Sequence, residues 1–291
     1  MGLGCAQSRD GNVVVVYTSQ DQIYATEILD RFTEETGIKV LALYDSESVK
    51  TTGLMNRLLA ERSHPRCDVF WSNEELMVRR LAKKGILNEE GMASFGRRTR
   101  RMIINTNRLS ESEVPARLAE LVEDRWRGRV ALAYPLYGTT VTHLVGLRSL
   151  WEKAEWEQWC RALLDNRALV VDGNSAVVRM VGRGEAWVGL TDSDDVAVGI
   201  ANGLPIRALE LTEEFPPIAN SAATVAGCPH PETAARLIEF LQAPATVAAL
   251  VERGALESAE MPEEPYLALE WEQILKDFEE AYEWLGQVFF R

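Results

Sequence analysis

Positive charge is in short supply: 31 Lys and Arg stand against 44 Asp and Glu, a formal net charge of -13. Binding of nucleic-acid phosphates draws on clustered cations, so a nucleic-acid partner is excluded. The one basic cluster, Arg97-Arg98-Thr99-Arg100-Arg101, is expected as a solvated face from which one arginine turns into a cleft. Long apolar runs are also missing. None approaches the roughly 20 residues that span a bilayer, so no transmembrane segment is expected. The 3 histidines, His64, His143 and His230, fall in different elements. No GxSxG elbow, HExxH helix, Walker loop or dinucleotide glycine pattern occurs. Without a nucleophile and base in register, the chain reads as a binder and not an enzyme, with no catalytic cofactor. Its 4 cysteines show no CxxC and no paired spacing, which excludes a zinc site and a disulfide framework. Cys67 and Cys160 read as small core residues. Cys5 follows Gly2-Leu3-Gly4 and precedes a polar spacer, as at the end of a bacterial lipoprotein signal. No basic or apolar stretch precedes it, and it is the candidate lipid anchor.

At 291 residues with 46% hydrophobic composition, the chain suits two globular lobes. Strand and helix patterns alternate as in a doubly wound α/β protein. Val13 to Tyr17, Lys39 to Tyr44 and Asp68 to Trp71 read as strands separated by helices, the first carrying Tyr24, Ile28 and Phe32 on one face and stopping at Gly37. Strands at Met102 to Ile104, Val130 to Tyr134, Ala168 to Val171 and Ala186 to Leu190 form a second set. Ser221 to Ala226 reads as a returning strand, followed by helices at Pro231 to Gln242, Ala245 to Arg253 and Leu267 to Phe290.

Three strand ends carry polar residues. Thr191-Asp192-Ser193-Asp194-Asp195 places three carboxylates where a strand meets its loop, the location at which open α/β sheets bind ligands. The competing reading is that Ser193-Asp194-Asp195 caps a helix starting at Val196. Tyr137-Gly138-Thr139-Thr140 opens a helix after another strand, and Gly173-Asn174-Ser175 opens a third, so N–H groups and small polar side chains converge at positive helix ends suited to an anion. His143, one turn into the Gly138 helix, reads as a satisfied histidine and not a base.

These segments, with VVVYTSQDQIYA from Val14, FTEETGIKV, TTGLMNRLLAE, DVFWSNEE, PLYGTT, GNSAVV, RGEAWVGLTDSDD and CPHPETAARLIEFL, resemble the bacterial ferric-type ABC-transporter solute-binding proteins in consistent order from about Val13 to Leu250. The resemblance implies a type II periplasmic-binding-protein fold: two α/β lobes, each a mixed sheet flanked by helices, closing on a ligand in the cleft between them. It implies residues 1–11 as an N-terminal segment, 12–103 with 221–270 as the first lobe, and 104–220 with 271–291 as the second. It also implies an exported monomer, periplasmic or on the outer face of the cytoplasmic membrane, that delivers its ligand to a permease and its ATPase.

Residue by residue, Asp194 and Asp195 stand where iron-binding members carry two tyrosines, Asp21 where many carry a histidine, and Asn73 and Glu74 where a carboxylate follows the DVFW-like strand. The implied metal ligands are Asp21, Glu74, Asp194 and Asp195, with Asp192, Ser19 and Trp71 beside them. Gly138, Thr139, Thr140, Asn174 and Ser175 fall where relatives hold an oxyanion next to the metal. The expected ligand is a ferric-type metal ion with a synergistic oxyanion, and the alternative is a small zwitterion or oxyanion such as an aminophosphonate or phosphate ester. A sensor that uses the same fold without a permease is the remaining alternative.

Overall fold

The computed structural model describes residues 12–45, 52–260 and 266–290. Cys5 and the whole 1–11 segment lie outside the described residues. The chain divides into two compact units: one takes the described residues through Phe95 with Asn220–Arg253, the other Gly96–Ala219 with Gly254 onward.

In the first unit, β1 (Val13–Thr18), β2 (Lys39–Tyr44) and β3 (Val69–Ser72) alternate with α1 (Gln22–Thr36), α2 (Thr52–Ala60) and α3 (Glu75–Lys83). β1 pairs in parallel with both β2 and β3. The continuous apolar run of β1 fits a strand covered on both faces, and α1 ends where Gly37 takes the left-handed conformation at φ 69°. A core cluster of Tyr17, Leu54, Leu58, Cys67, Phe70 and Leu81 packs α2 and α3 against the sheet.

β4 (Ala93–Asn105) carries the chain into the second unit and β9 (Pro217–Thr224) carries it back. β9 lies antiparallel to β3, with Trp71 opposite Ala222 and Ser72 opposite Ser221. The second unit adds β5 (Val130–Ala133), α4 (Gly138–Leu150), α5 (Lys153–Asp165), β6 (Leu169–Val171), α6 (Asn174–Arg183), β7 (Val188–Asp192), α7 (Ser193–Ala201) and β8 (Ile206–Ala208). β5 lies parallel to β6 and β7, and β4 closes the set antiparallel to β7. Because β5, β6 and β7 run the same way, the helices that follow them, α4, α6 and α7, all begin at one edge of this sheet. Gly189 lets β7 approach α6 closely: a Cβ there would come within 2.6 Å of Val177 and 2.8 Å of Val181. After α8 (Pro231–Gln242) and α9 (Pro244–Glu252), the chain ends in α10 (Trp271–Phe289). Trp284 of α10 packs on Trp156 of α5 at a ring separation of 4.9 Å.

Three sequence expectations change. β4 begins at Ala93, not Met102, so the basic cluster lies inside a strand. The crossing into the second unit falls at Phe95/Gly96, earlier than residue 103. Residues 254–260 and 266–270 belong with the second unit, where Arg97 N donates to the Ser258 carbonyl at 2.8 Å and Glu257 N to the Arg97 carbonyl at 2.7 Å. Among the described residues no single helix is long and apolar enough to cross a membrane.

Candidate functional site

β4 sorts its basic cluster by strand alternation. Arg98 and Arg100 face Asp192 and Asp194 at the start of α7, and both are buried. Thr99 and Arg101 face the other way, to Glu257: Thr99 Oγ1 donates to Oε2 at 2.6 Å and Arg101 Nη2 to Oε1 at 2.8 Å. Burial alone would raise the Glu257 carboxyl, but these bonds and the nearby arginines hold it below the usual carboxylate range. The expected solvated face is therefore half of a buried ion-pair cluster. The register places Arg100 directly opposite Asp192.

Asp192 is the centre of that cluster. Arg100 Nη1 donates to Oδ1 at 2.7 Å. Oδ2 accepts from Thr139 Oγ1 at 2.7 Å, Asn174 Nδ2 at 2.9 Å and Arg98 Nη1 at 3.4 Å. Burial pushes this carboxyl up, but Arg100 and Arg98, with the bonds from Thr139 and Arg100, outweigh it and hold the group below its ordinary value. Asp192 precedes α7 as its cap residue yet makes no side-chain cap bond. The helix starts at Ser193, not Val196, and Asp194 lies in its first turn with Oδ2 2.8 Å from Arg98 Nη1.

Thr139 and Asn174, expected to hold an oxyanion, hold the Asp192 carboxylate. The Thr139 hydroxyl donates to Asp192 and accepts from Arg100 Nη1 and Asn174 Nδ2, each at 3.1 Å, which uses its donor and both lone pairs. Asn174 Oδ1 takes a third bond from Arg100 Nη1 at 3.0 Å. Ser175 is exposed and makes none of these bonds. Gly138 opens α4 at φ 54°, a conformation that favours glycine, and neither α4 nor α6 has a side-chain cap.

Several buried groups at this cluster have no acceptor or donor. Arg100 has bonds only from Nη1; its Nε and Nη2 are unpartnered. Those two N–H groups form one edge of the guanidinium, the fork that matches two oxygens of a carboxylate or phosphate. Thr140 Oγ1, beside Thr139, is likewise without a partner. His143, one turn beyond Thr139, donates from Nε2 to the Glu214 carbonyl at 2.7 Å, which leaves Nδ1 unpartnered. Burial and the nearby Arg100 push its pKa down to about 3, so the ring is neutral at physiological pH.

The first-unit candidates gather separately. Ser19 Oγ lies 3.0 Å from Ser72 Oγ and 3.4 Å from Asn73 Oδ1. Glu74 is buried at the start of α3, where its carboxylate accepts from Leu76 N at 2.8 Å and Met77 N at 3.1 Å. The expected metal ligand thus works as a helix cap. Asp21 is the cap residue of α1 without a side-chain cap bond. Trp71 is buried with Nε1 unpartnered, and Asn220, missed in the sequence, is buried with Oδ1 unpartnered while its Nδ2 donates to Gln20 Oε1 at 3.2 Å. Arg98 and Arg100 were also missed as a pair, although their two-residue spacing before an apolar run was the available signal.

The model of the bacterial extracellular solute-binding protein family matches residues 13–255. The chain belongs to that family. An Fe(3+)-binding periplasmic protein of Serratia marcescens is 28% identical over 197 residues, covering 61% of this chain and 56% of that protein. The chain spans about half the length of the curated relatives it matches. Iron-bound HitA from Pseudomonas aeruginosa superposes with a TM-score of 0.80 at 20% identity, covering 95% of this chain and 99% of that one. AfuA from Actinobacillus pleuropneumoniae, with fructose-6-phosphate bound, reaches 0.81 at 14% identity, covering 96% and 99%. The two-unit α/β fold expected from the sequence is the fold of these binding proteins.

Proposed function

We propose that the protein is the extracytoplasmic solute-binding component of an ABC importer, and that its second unit holds the oxyanion group of a small solute such as a phosphate ester or aminophosphonate. The observation that carries this reading is the buried Nε/Nη2 edge of Arg100 without an acceptor. A buried guanidinium with two unmet donors is costly, and an oxyanion meets both. The unpartnered Thr140 hydroxyl and the uncapped start of α4 supply further donors beside it. As the family resemblance implies, the solute is released unchanged to a permease driven by an ATPase, and the protein acts as a monomer in the periplasm or at the outer face of the cytoplasmic membrane.

A ferric-type metal with a synergistic oxyanion is the second reading. It is favoured by one observation: carboxylate oxygens of Asp192, Asp194 and Asp195 lie within 4.8 Å of one another. Oxygen ligands suit hard cations. Against it, Asp192 and Asp194 are already answered by Arg98 and Arg100, and aspartates replace the tyrosine pair of iron-binding members.

Calorimetric titration with phosphate and methylphosphonate tests the proposal. One site is expected, with Arg100→Lys binding more weakly because a lysine keeps the charge but loses the fork. Failure of every phosphate, phosphonate, sulfate and carbonate to bind would overturn it.

A further inference from the structure

The cluster that presents the Arg100 edge contains its own anion. Arg98 and Arg100 bring two positive charges, and Asp192 and Asp194 bring two negative ones through contacts of 2.7 to 3.4 Å. Asp195 adds a further carboxylate within 4.8 Å of the other two. The remaining cations of β4, Arg97 and Arg101, pair with Glu257 instead. Asp192 is fully enclosed and receives four donors on its two oxygens, so it is locked in place by the same Nη1 that leaves the other edge of Arg100 open.

We propose that Asp192 sets the charge of the anion accepted at the Arg100 edge: a singly charged oxyanion is held and a doubly charged one is disfavoured. The inference rests on the oxyanion reading above. The first negative charge on a ligand meets the two open N–H groups. A second finds no unpaired cation among the described residues of this cluster and faces the Asp192 carboxylate across the width of one guanidinium. Like charges a few ångströms apart, at an effective dielectric of about 20, repel enough to change affinity on the order of a hundredfold. The ligand class is thereby narrowed to groups that carry one charge in the site, such as a carboxylate, a phosphodiester, or a phosphate or phosphonate that keeps one proton.

Two probes of fixed charge and similar shape make the test. Methanesulfonate carries one negative charge and sulfate two, and neither titrates near neutrality. The wild-type protein is expected to prefer methanesulfonate by about tenfold or more, in line with the repulsion above. Asp192→Asn keeps an acceptor for Arg100 while removing the charge, and is expected to raise sulfate affinity relative to methanesulfonate by a similar factor. Should that variant fold poorly, Asp194→Asn removes one charge from the same cluster without touching the four bonds to Asp192, and the same shift is expected. Sulfate binding the wild-type protein as tightly as methanesulfonate, or a ratio unmoved in the folded variants, would overturn this inference and leave the oxyanion site standing. Binding of neither anion, phosphate or methylphosphonate would overturn both.

Discussion

Thr139 and Thr140 are neighbours in the first turn of α4, yet the hydroxyl of one makes three hydrogen bonds and that of the other makes none. The first is tied into the Asp192 cluster, while the second is buried without a partner. This separates a structural residue from a candidate ligand residue one position apart. Thr139→Val leaves Asp192, Arg100 and Asn174 each short of a partner, and is expected to cost about 1–3 kcal/mol in urea unfolding. Thr140→Val removes an unmet hydroxyl at nearly constant shape. Its stability is expected to stay within about 0.5 kcal/mol of wild type or to rise, while titration shows weaker methylphosphonate binding. Unchanged affinity in Thr140→Val would remove that hydroxyl from the site.

His143 ties stability to pH. Its pKa in the folded protein, about 3, lies below the ordinary histidine value. Between these values the unfolded chain binds a proton that the folded protein does not, so stability falls as pH drops below the ordinary value near 6.5 and is flat above it. Unfolding free energies at pH 7.5 and pH 5 are expected to differ by about 2 kcal/mol from this residue alone. His143→Phe keeps a ring against Phe215, now 5.0 Å away, and should flatten this slope. Asp192 acts at lower pH: its depressed pKa gives stability that is present above the ordinary carboxyl value and lost as pH falls through the folded one.

The elements most legible in the sequence were those with a single period and a clear stop. The β1 run, the α1 face ending at Gly37 and the Pro231 start of α8 lie where expected. β4 was misjudged because its first half is charged: an alternating strand buried by ion pairs on both sides carries no hydrophobic signal, and Arg97 to Arg101 reads as solvated until Asp192 and Glu257 are brought opposite. The helices that start at the polar strand ends, α4, α6 and α7, are legible in the sequence, but the bonds among their side chains are not. Thr139 and Asn174 have the residue types of an anion site, and only the fold places a carboxylate of the same chain among them. Glu74 has the chemistry of a metal ligand and of a helix cap alike, and the free N–H groups of α3 decide between them.

Glu257 fastens the segment that follows α9 to β4. It accepts from Thr99 at 2.6 Å and Arg101 at 2.8 Å, and its own N–H joins the backbone bond to Arg97. Glu257→Ala is expected to cost about 1–3 kcal/mol, because the buried Thr99 hydroxyl loses a charged acceptor. Hydrogen exchange should rise first in residues 255–260 and along the Thr99 edge of β4, with the first unit unaffected. Uniform exchange changes across both units would show that the contact does not act locally.

Asp194 and Asp195 separate the two ligand readings. Replacing both with asparagine keeps their size and hydrogen-bonding capacity at the start of α7 and removes two charges. The cost through the helix dipole is about 0.3–1 kcal/mol each, and Arg98 keeps Asp192 at 3.4 Å as a counter-charge. If the solute is an oxyanion at the Arg100 edge, methylphosphonate affinity in the double variant is expected to be maintained or raised, since two repelling charges are gone. Wild-type protein purified without chelator should then carry no stoichiometric metal by native mass spectrometry with elemental analysis. If the solute is a metal, wild-type protein should hold one ion, show no strong visible phenolate-to-iron band, and lose the ion in the double variant. A metal retained by wild type and lost in the variant would replace the oxyanion reading. Weaker binding of aminomethylphosphonate in the double variant, with methylphosphonate binding maintained and no metal present, would instead place these carboxylates on the positive part of a zwitterion.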